Sequence, residues 1–451
     1  MQARLFRILL SCLLVGIGLL ALKSARAQDD DQLPTMAELE DTWSYLEPSG
    51  ETSCAFGDPF GFFVHPGSSA HLMIAFGGGY ICWDSDANSC LEFRESQVID
   101  VDFWMDYFEH SDGILEMENP ANPLHDYTIV IVPHCTGDTH LGHSMARYGE
   151  GDEAIDFAHN GFANVSAVLE WVYANVTSPE EIYVAGVSAG MPASILYAPS
   201  VIEHYPSASV AQLGNGLGAF PIDADTFATW GTADILPEWM PEFDGITPET
   251  LTFETLYVAA ATHYPDYVFA QSNTAHDANL SPIWSSATGG TPPFEEALTA
   301  NMHAIAEQVP NFRYYIAGGT THVLTTNRIF YTVRVDDVLF SDWFAALLNG
   351  EAVENVACTQ CDVPDLGQDM AEPEPIENPT FASGSTITIP GPGFMLSLVS
   401  DPGGGTGQGG MCTVGTEATV GQTVQTAAGE IWVELQCAGM SGWTLEETLS
   451  P

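Results

Sequence analysis

The fold of this chain is decided by the stretch Ile182-Tyr183-Val184-Ala185-Gly186-Val187-Ser188-Ala189-Gly190. Its first four residues form an apolar run of the kind that becomes a buried strand. The G-x-S-x-G pattern that follows predicts a sharp turn from strand to helix, with the Ser188 hydroxyl held at the top of the sheet. Alone the pattern is weak, because it arises by chance in glycine-rich chains.

Three other motifs follow strand-like runs and strengthen that prediction. Upstream, residues 72–76 end in the glycine loop Gly77-Gly78-Gly79-Tyr80, whose backbone N–H groups suit an oxyanion. Downstream, Asp277 and His322 each come after a strand-like run. The order serine, acid, histidine resembles that of the α/β-hydrolases. The chain is therefore expected to carry a nucleophilic serine with its acid and base.

Hydrophobic periodicity predicts the architecture. Strand-like and helical runs alternate from residue 46 to 362, which favours an α/β-hydrolase-like, mainly parallel sheet with helices on both faces. The predicted strands include 71–76, 127–133, 181–186, 208–213, 267–271 and 312–317, and the predicted helices include 159–175, 294–308 and 337–348.

His322 is the predicted general base, because a serine hydroxyl needs a base beside it to become nucleophilic. It lies in a loop after the last long strand and before a helix. The chain has 13 histidines, and the alternatives include His140, His143, His276 and His303. Among the sixty acids, placement favours Asp277 as the group that orients the imidazole. The rivals are Asp223, Asp225 and Asp234, whereas Asp266 stands at the opposite end of its strand.

The oxyanion is expected to meet the N–H of Ala189, the residue after the nucleophile, and the N–H of Gly79 or Tyr80. Gly78 would make room for the substrate. The alternative is that the three glycines only form a tight turn.

The charge excludes whole classes of partner. The formal net charge is −51, and beyond residue 27 the chain has no lysine and five arginines. Nucleic acid and anionic membrane surfaces require basic patches, so neither is an expected partner. The acids are scattered, which suits a protein that stays soluble in a saline habitat, and a calcium-binding surface is the alternative.

Residues 1–27 are predicted to be a cleaved export signal. Arg4 and Arg7 precede an apolar core, and Ala25-Arg26-Ala27 forms a small-x-small cleavage site. A retained membrane anchor is the alternative, although the apolar core is shorter than a spanning helix requires. The mature protein is expected to be secreted, periplasmic or attached to the cell surface, with no integral membrane segment. Residues 28–45 form an acidic segment that is predicted to be a poorly ordered lead-in.

Beyond the catalytic segment, residues 363–385 form a linker rich in proline and acids. Residues 386–451 alternate like half-buried strands and predict a small β-barrel resembling a bacterial SH3-type module. Such a module either contacts cell-wall material or only packs, and Trp432 and Trp443 are expected in its core.

Eight cysteines follow residue 27, and an even number in an exported chain predicts disulfides. Their positions favour local pairing, which leaves Cys54 for Cys135; the other expected pairs are Cys82–Cys90, Cys358–Cys361 and Cys412–Cys437. A redox or zinc role for Cys358 and Cys361 is the alternative.

Three separated motifs now resemble the pectin acetylesterase/Notum family of serine esterases. They are Gly-Gly-Gly-Tyr-x-Cys at 77–82 with a second cysteine at 90, Pro-His-Cys-Thr-Gly-Asp at 133–138, and Gly-x-Ser-Ala-Gly at 186–190. The resemblance covers about residues 50–362. It implies the triad Ser188–Asp277–His322, an oxyanion hole from Gly79, Tyr80 and Ala189, the disulfides Cys54–Cys135 and Cys82–Cys90, and no cofactor. Tyr80, His134 and Met191 depart from the residues more common in that family.

Asp138, His140 and Asp84 lie in the two loops that flank the serine, where they either bind substrate or order the loops. Asp84, Asp86, Asn88 and Glu95 superficially match a calcium loop. The sixth position of that loop requires glycine and holds Ser89. No metal site is therefore predicted.

These features predict an exported serine carboxylesterase that removes acetyl or other short acyl groups from an extracellular polysaccharide such as pectin. The negative charge of the protein favours a neutral acetylated glycan, or a saline medium that screens repulsion from a polyanion. The alternatives are a lipid or protein deacylase and a catalytically silent binding protein.

Overall fold

The computed structural model describes residues 33–82, 97–149, 154–366, 374–376, 379–390, 395–399, 408–425, 431–437 and 440–449. The predicted export signal (1–27) and Cys90 lie outside these residues. So do the four residues of the rejected calcium loop.

A nine-stranded sheet forms the larger part of the molecule. Its strands are β1 Ser44–Leu46, β2 Phe62–His65, β3 Ser68–Phe76, β4 Tyr127–Val132, β7 Glu181–Val187, β8 Ser209–Asn215, β9 Phe269–Thr274, β10 Phe312–Ala317 and β13 Val356–Ala357. They lie in the order β1-β2-β4-β3-β7-β8-β9-β10-β13. The β1–β2 and β2–β4 pairs are antiparallel and the others are parallel. In such a sheet, binding sites form beyond the carboxyl ends of the strands.

Two hairpins lie outside this sheet: β5 Ser144–Tyr148 with β6 Ile155–His159, and β11 Arg334–Val335 with β12 Val338–Leu339. The helices are α1 Val101–Glu109, α2 Gly161–Asn175, α3 Met191–His204, α4 Ala224–Trp230, α5 Phe253–His263, α6 Leu280–Thr288, α7 Phe294–Gln308 and α8 Phe340–Leu348.

Strand β3 shows how the sheet separates two cores. Leu72, Ile74 and Phe76 pack with apolar residues of α2, α3, α5 and α7. Met73 and Ala75 point to the opposite face and pack with residues of α1 and α8. Successive side chains of a strand alternate between faces, so both faces are covered. The predicted α/β-hydrolase-like fold is confirmed.

Several predicted boundaries were wrong. The helix expected from 159 begins at Gly161, because His159 ends the β6 hairpin strand. The helix expected from 337 begins at Phe340, after the short β11–β12 hairpin. Strands β8 and β9 run on to Asn215 and Thr274, and therefore deliver polar residues to the carboxyl edge of the sheet.

The expected poorly ordered lead-in is wrong for residues 33–45. Strand β1 begins at Ser44 and joins the large sheet. Trp43 is buried, and the Trp171 indole N–H donates to the Pro34 carbonyl at 2.9 Å. An indole that loses water needs such a partner, so this segment packs on the domain despite its acidic composition.

The linker also begins later than predicted. Pro364 packs beside Gly319, and the Arg334 N–H donates to the Asp365 carbonyl at 2.8 Å. Residues 363–365 are therefore held by the domain that contains the large sheet.

The C-terminal region forms a separate small antiparallel sheet. Its strands are β14 Glu374–Pro375, β15 Thr386–Thr388, β16 Met395–Val399, β17 Gln408–Thr413, β18 Glu417–Gln425, β19 Ile431–Cys437 and β20 Met440–Leu445. Their order is β14-β18-β19-β20-β16-β17, with β15 also paired to β18. Its core includes Ile389, Leu398, Val420, Val433 and Leu435. A small β domain is confirmed, and its likeness to an SH3 module stays a prediction.

Disulfides join Cys54 to Cys135, Cys358 to Cys361 and Cys412 to Cys437, as predicted. Among the described residues, every helix is too short or too polar to cross a bilayer.

Candidate active site

Ser188 lies on a tight turn between β7 and α3. Its φ is +49°, a left-handed conformation that is unfavourable for any residue except glycine. The two glycines of the pattern are required by space. A Cβ on Gly190 would lie 2.0 Å from the Phe76 carbonyl oxygen, and a Cβ on Gly186 would lie 2.6 Å from the Gly190 carbonyl oxygen. The turn that carries Ser188 therefore packs directly against the carboxyl end of β3.

The structure brings Ser188, His322 and Asp277 into one hydrogen-bonded series. His322 Nε2 lies 2.7 Å from Ser188 Oγ, and His322 Nδ1 lies 2.7 Å from Asp277 Oδ2. A carboxylate only accepts, so the ring proton is on Nδ1 and Nε2 accepts from the serine hydroxyl. The side chain of Asp277 is 1% exposed and that of His322 is 16% exposed. The arrangement can take a proton from the serine and hold it on the ring.

Asp277 and His322 meet because the loops after β9 and β10 continue the pairing of those strands. The His276 N–H donates to the Gly319 carbonyl and the Ala278 N–H to the Thr320 carbonyl. The other oxygen of the Asp277 carboxylate accepts the N–H groups of Asn279 and Leu280 at 2.8 and 2.9 Å, at the start of α6. Those two donors leave the second carboxylate oxygen fixed toward the imidazole.

The loop that carries His322 is held from two sides. On one side, the Asn215 side chain accepts the Leu324 N–H at 3.0 Å, and a Cβ on Gly216 would lie 2.5 Å from the His322 carbonyl oxygen. On the other side, the Gly319 N–H donates to the Cys361 carbonyl at 2.8 Å. Sequence analysis missed Asn215 and Gly216. Their signal was an Asn-Gly pair at the carboxyl end of a strand.

The glycine loop lies against Ser188. A Cβ on Gly78 would lie 2.9 Å from the Ser188 Cβ, and a Cβ on Gly79 would lie 2.6 Å from His134 Nδ1. Only glycine fits at either position. Ala189 is buried and Tyr80 is 39% exposed. The predicted oxyanion residues therefore lie in the two segments that meet at the serine.

Asp138 and His140 are loop residues with no surface to offer a substrate, being 0% and 1% exposed. The Asp138 carboxylate accepts Thr136 Oγ1–H at 2.7 Å and the N–H groups of His140 and Gly161 at 3.0 and 2.9 Å. Burial raises its pKa to about 6, against the effect of these donors. The predicted substrate-binding role of both residues is corrected to ordering the loop, because every partner they have is inside the protein. Asp84, the third loop residue of that prediction, lies outside the described residues.

The rival bases and acids lie elsewhere. His276 faces Glu295 and Asp362, each at 3.7 Å, and His303 packs beside Tyr314. Asp223 caps α4 by accepting the Thr226 N–H at 2.8 Å. Within the described parts of the chain, no cluster of three or more His, Cys, Asp or Glu side chains is arranged to hold a metal ion.

Comparison with known proteins agrees with this fold and points to a family. Residues 43–233 match the profile of the family described as Pectinacetylesterase. The fold is similar to the structure of the Wnt deacylase Notum from Drosophila, with a TM-score of 0.53 and 15% identity, covering 71% of this chain and 98% of that one. At that identity the likeness establishes the fold alone. A comparison with curated proteins finds no match.

The profile match spans β1 to α4 and so includes the glycine loop, the loop around Asp138 and the Ser188 turn, whereas Asp277 and His322 lie beyond it. The similarity to the pectinacetylesterases is therefore shown for residues 43–233, and the likeness to Notum extends the agreement in fold to the rest of the large sheet.

Proposed function

We propose that this protein is a secreted serine carboxylesterase that removes acetyl or other short acyl groups from a hydroxyl-rich extracellular polymer. The observation that carries the proposal is the series Ser188 Oγ, His322 Nε2, His322 Nδ1 and Asp277 Oδ2, with both contacts at 2.7 Å. A buried carboxylate, an imidazole and a hydroxyl in this order form the arrangement that activates a serine.

The reaction follows from these positions. As Ser188 Oγ attacks the ester carbonyl carbon, its proton passes to His322 Nε2. The carbonyl oxygen becomes an oxyanion, which the N–H of Ala189 and an N–H of Gly79 or Tyr80 stabilise. When the tetrahedral intermediate collapses, the alkoxide of the polymer leaves with the proton from Nε2. Water then attacks the acyl-serine, passes one proton to Nε2, and releases the carboxylic acid as Ser188 recovers its proton.

The chain's charge bears on the choice of polymer. With a formal net charge of −51, the protein is repelled from a polyuronate such as pectin at low salt, and screening removes this repulsion only at high ionic strength. A neutral acetylated glycan is therefore the favoured substrate class at low salt. The three disulfides between described cysteines support an oxidising, extracytoplasmic location.

One observation favours a second candidate, a deacylase for longer chains. Val98, just before α1, and Phe103, on α1, are 41% and 46% exposed. The nearby Gln97 side chain donates to the Tyr80 carbonyl at 3.5 Å, so this apolar surface is near the glycine loop. Such a surface would suit a long acyl chain.

The test is hydrolysis of p-nitrophenyl acetate, octanoate and palmitate at low and high salt, with Ser188→Ala as the control. The proposal expects acetate to be cleaved fastest and the variant to be inactive. Faster cleavage of the long esters would replace it with the deacylase hypothesis. If no ester is turned over by a serine-dependent route, the protein is instead a binding protein built on this fold.

A further inference from the structure

Two buried histidines contact the glycine loop. His140 Nε2 lies 3.0 Å from the Gly77 carbonyl oxygen. His134 packs beneath Gly79, where an added Cβ would lie 2.6 Å from its Nδ1. The His134 side chain is 0% exposed and His140 is 1% exposed. Neither imidazole can meet a substrate directly, but both contact the segment that carries the predicted oxyanion donors.

The proton of each ring can be assigned from its partners. The Thr139 N–H donates to His134 Nε2 at 3.1 Å, which leaves the proton of a neutral ring on Nδ1. His140 Nε2 faces a carbonyl, which can only accept, so this nitrogen carries the proton. Burial lowers the pKa of His140 to about 4 and the pKa of His134 well below its usual value. Both rings are therefore neutral near pH 7, and each directs an N–H toward the glycine loop.

The loop that carries these histidines is braced against the helix that follows the nucleophile. The Tyr197 hydroxyl, on α3, donates to the His140 carbonyl at 2.9 Å. Asp138 fixes the His140 backbone from the other side. Thr139 and His140 have φ values of +53° and +61°. Residues other than glycine keep such conformations only where surrounding contacts enforce them, commonly at functional sites.

One of the two N–H groups has no partner among the described residues. His134 Nδ1 is buried and makes no hydrogen bond to any of them, although buried donors are nearly always paired. Its position beneath Gly79 places the positive end of an N–H dipole next to the loop. A fixed dipole near developing negative charge stabilises that charge without any reorganisation. A purely structural histidine at this point would be expected to satisfy both nitrogens.

We propose that His134 and His140 are positioning residues of the oxyanion hole. His140 holds the Gly77 carbonyl, and His134 supports Gly79 from below, so that the loop's N–H groups point at the carbonyl oxygen that becomes the oxyanion when Ser188 attacks. The inference rests on the proposed esterase function and goes beyond it, because neither histidine touches the substrate or the triad.

The first test compares His140→Gln with His140→Met. Glutamine places an N–H donor close to the position of the imidazole Nε2, whereas methionine has a similar length and no donor. We expect His140→Met to lower kcat about tenfold to a hundredfold, with KM within twofold of the wild type. Its affinity for a trifluoromethyl ketone, which mimics the tetrahedral intermediate, should fall by the same factor. His140→Gln should recover most of both losses.

A second variant keeps the proposal testable if the methionine variant does not fold. His134→Gln keeps an acceptor for the Thr139 N–H and removes the Nδ1–H group. It should keep the thermal midpoint of the wild type within a few degrees and lose kcat severalfold. A wild-type kcat in this variant would overturn the role of His134. Equal losses in His140→Gln and His140→Met, in parallel with their thermal midpoints, would show that His140 only supports the fold.

The failure of the proposed function is separable from the failure of this inference. Phosphonylation of Ser188 by a fluorophosphonate also develops charge in the oxyanion hole, and its rate can be measured without turnover. If the wild type hydrolyses esters and reacts with the probe, and the histidine variants have the same two rates, only the positioning role is wrong. If the wild type neither hydrolyses esters nor reacts with the probe, the esterase proposal is wrong and so is the positioning role.

Discussion

The large sheet and the small C-terminal sheet differ in how their strands are buried. Strands β4 and β9 of the large sheet are buried along their whole length, whereas β18 of the small sheet alternates between exposed and buried positions. The large sheet therefore has core on both faces, and the small one has a single core closed by Cys412–Cys437.

That difference decides where a strained, polar site can be kept. The edge of the large sheet holds Ser188, Thr139 and His140 at positive φ, together with the buried carboxylates of Asp138 and Asp277. Within its described residues, the small sheet has positive φ only at glycines. Strain and buried charge persist only where surrounding packing enforces them, so a thin domain offers no place for them. The comparison predicts that changes at the two regions have separate effects on activity.

The largest expected effect at the catalytic edge is that of Asp277→Asn. Two backbone N–H groups donate to Asp277 Oδ1, so an asparagine would place its oxygen there and turn its NH2 group toward His322 Nδ1. That donor disfavours the Nδ1–H tautomer, so kcat should fall by about 10⁴-fold, while the fold is kept by the nearly identical shape. Initial rates on p-nitrophenyl acetate with a matched circular-dichroism melt would measure this. Residual activity within tenfold of the wild type would show that another acid serves His322.

Gly190→Ala is expected to damage folding and activity together. Its Cβ would lie 2.0 Å from a backbone oxygen that cannot move away, so the free energy of unfolding should fall by about 3 kcal/mol. The matched change in the small sheet is Gly415→Ala, whose Cβ meets nothing within 4 Å but whose φ is +81°. It should cost about 1 kcal/mol and leave kcat unchanged. Urea unfolding and kcat of both variants test the contrast, which fails if the two changes cost the same.

The part of the acid sensitivity that is due to histidines should belong to the large domain, because residues 363–451 contain no histidine. Burial lowers the pKa of His140 and His159 to about 4, so between about pH 6.5 and 4 the unfolded chain binds more protons than the native one. The free energy of unfolding should fall with pH in that window, by about 1.4 kcal/mol per pH unit for each histidine.

Asp138 has the opposite effect on the free energy of unfolding. Its pKa is raised from 3.8 to about 6, so between these pH values the native state keeps a proton that the unfolded chain releases. In that pH range Asp138 therefore offsets the effect of one histidine. Urea titrations from pH 7.5 to 4.5 would give the net slope of the free energy of unfolding against pH. His159→Gln should reduce that slope by about 1.4 kcal/mol per pH unit, which corresponds to one proton. A slope unchanged by that substitution would mean that His159 is not the group that titrates.

The smallest expected effect on kcat comes from comparing the removal of two disulfides, only one of which lies beside the His322 loop. Cys358–Cys361 lies beside the loop that carries His322, because the Gly319 N–H donates to the Cys361 carbonyl. Replacing both cysteines by serine should lower kcat by up to about tenfold through displacement of His322. Replacing Cys412 and Cys437 should lower the melting temperature of the small domain and leave kcat unchanged. An equal loss of kcat in both double variants would contradict the separation.

The sequence by itself determined the large fold and the types of chemistry. Long apolar runs specify strands buried on both faces, and G-x-S-x-G and Gly-Gly-Gly specify places where the backbone needs space, because these are local properties of the chain. Its periodicity did not reveal that residues 33–43 pack on the domain and that Ser44–Leu46 joins the sheet, since burial of Trp43 depends on a distant surface.

Only the tertiary structure decided which of sixty acids and 13 histidines meet Ser188. Asp277 and His322 lie 45 residues apart in the chain, and they meet because β9 and β10 are neighbours whose pairing continues into their loops. The same is true of Asp138 and His140. As loop residues they were candidates for binding substrate, whereas burial makes them part of the support behind the glycine loop, because the accessibility of a side chain depends on everything that packs around it.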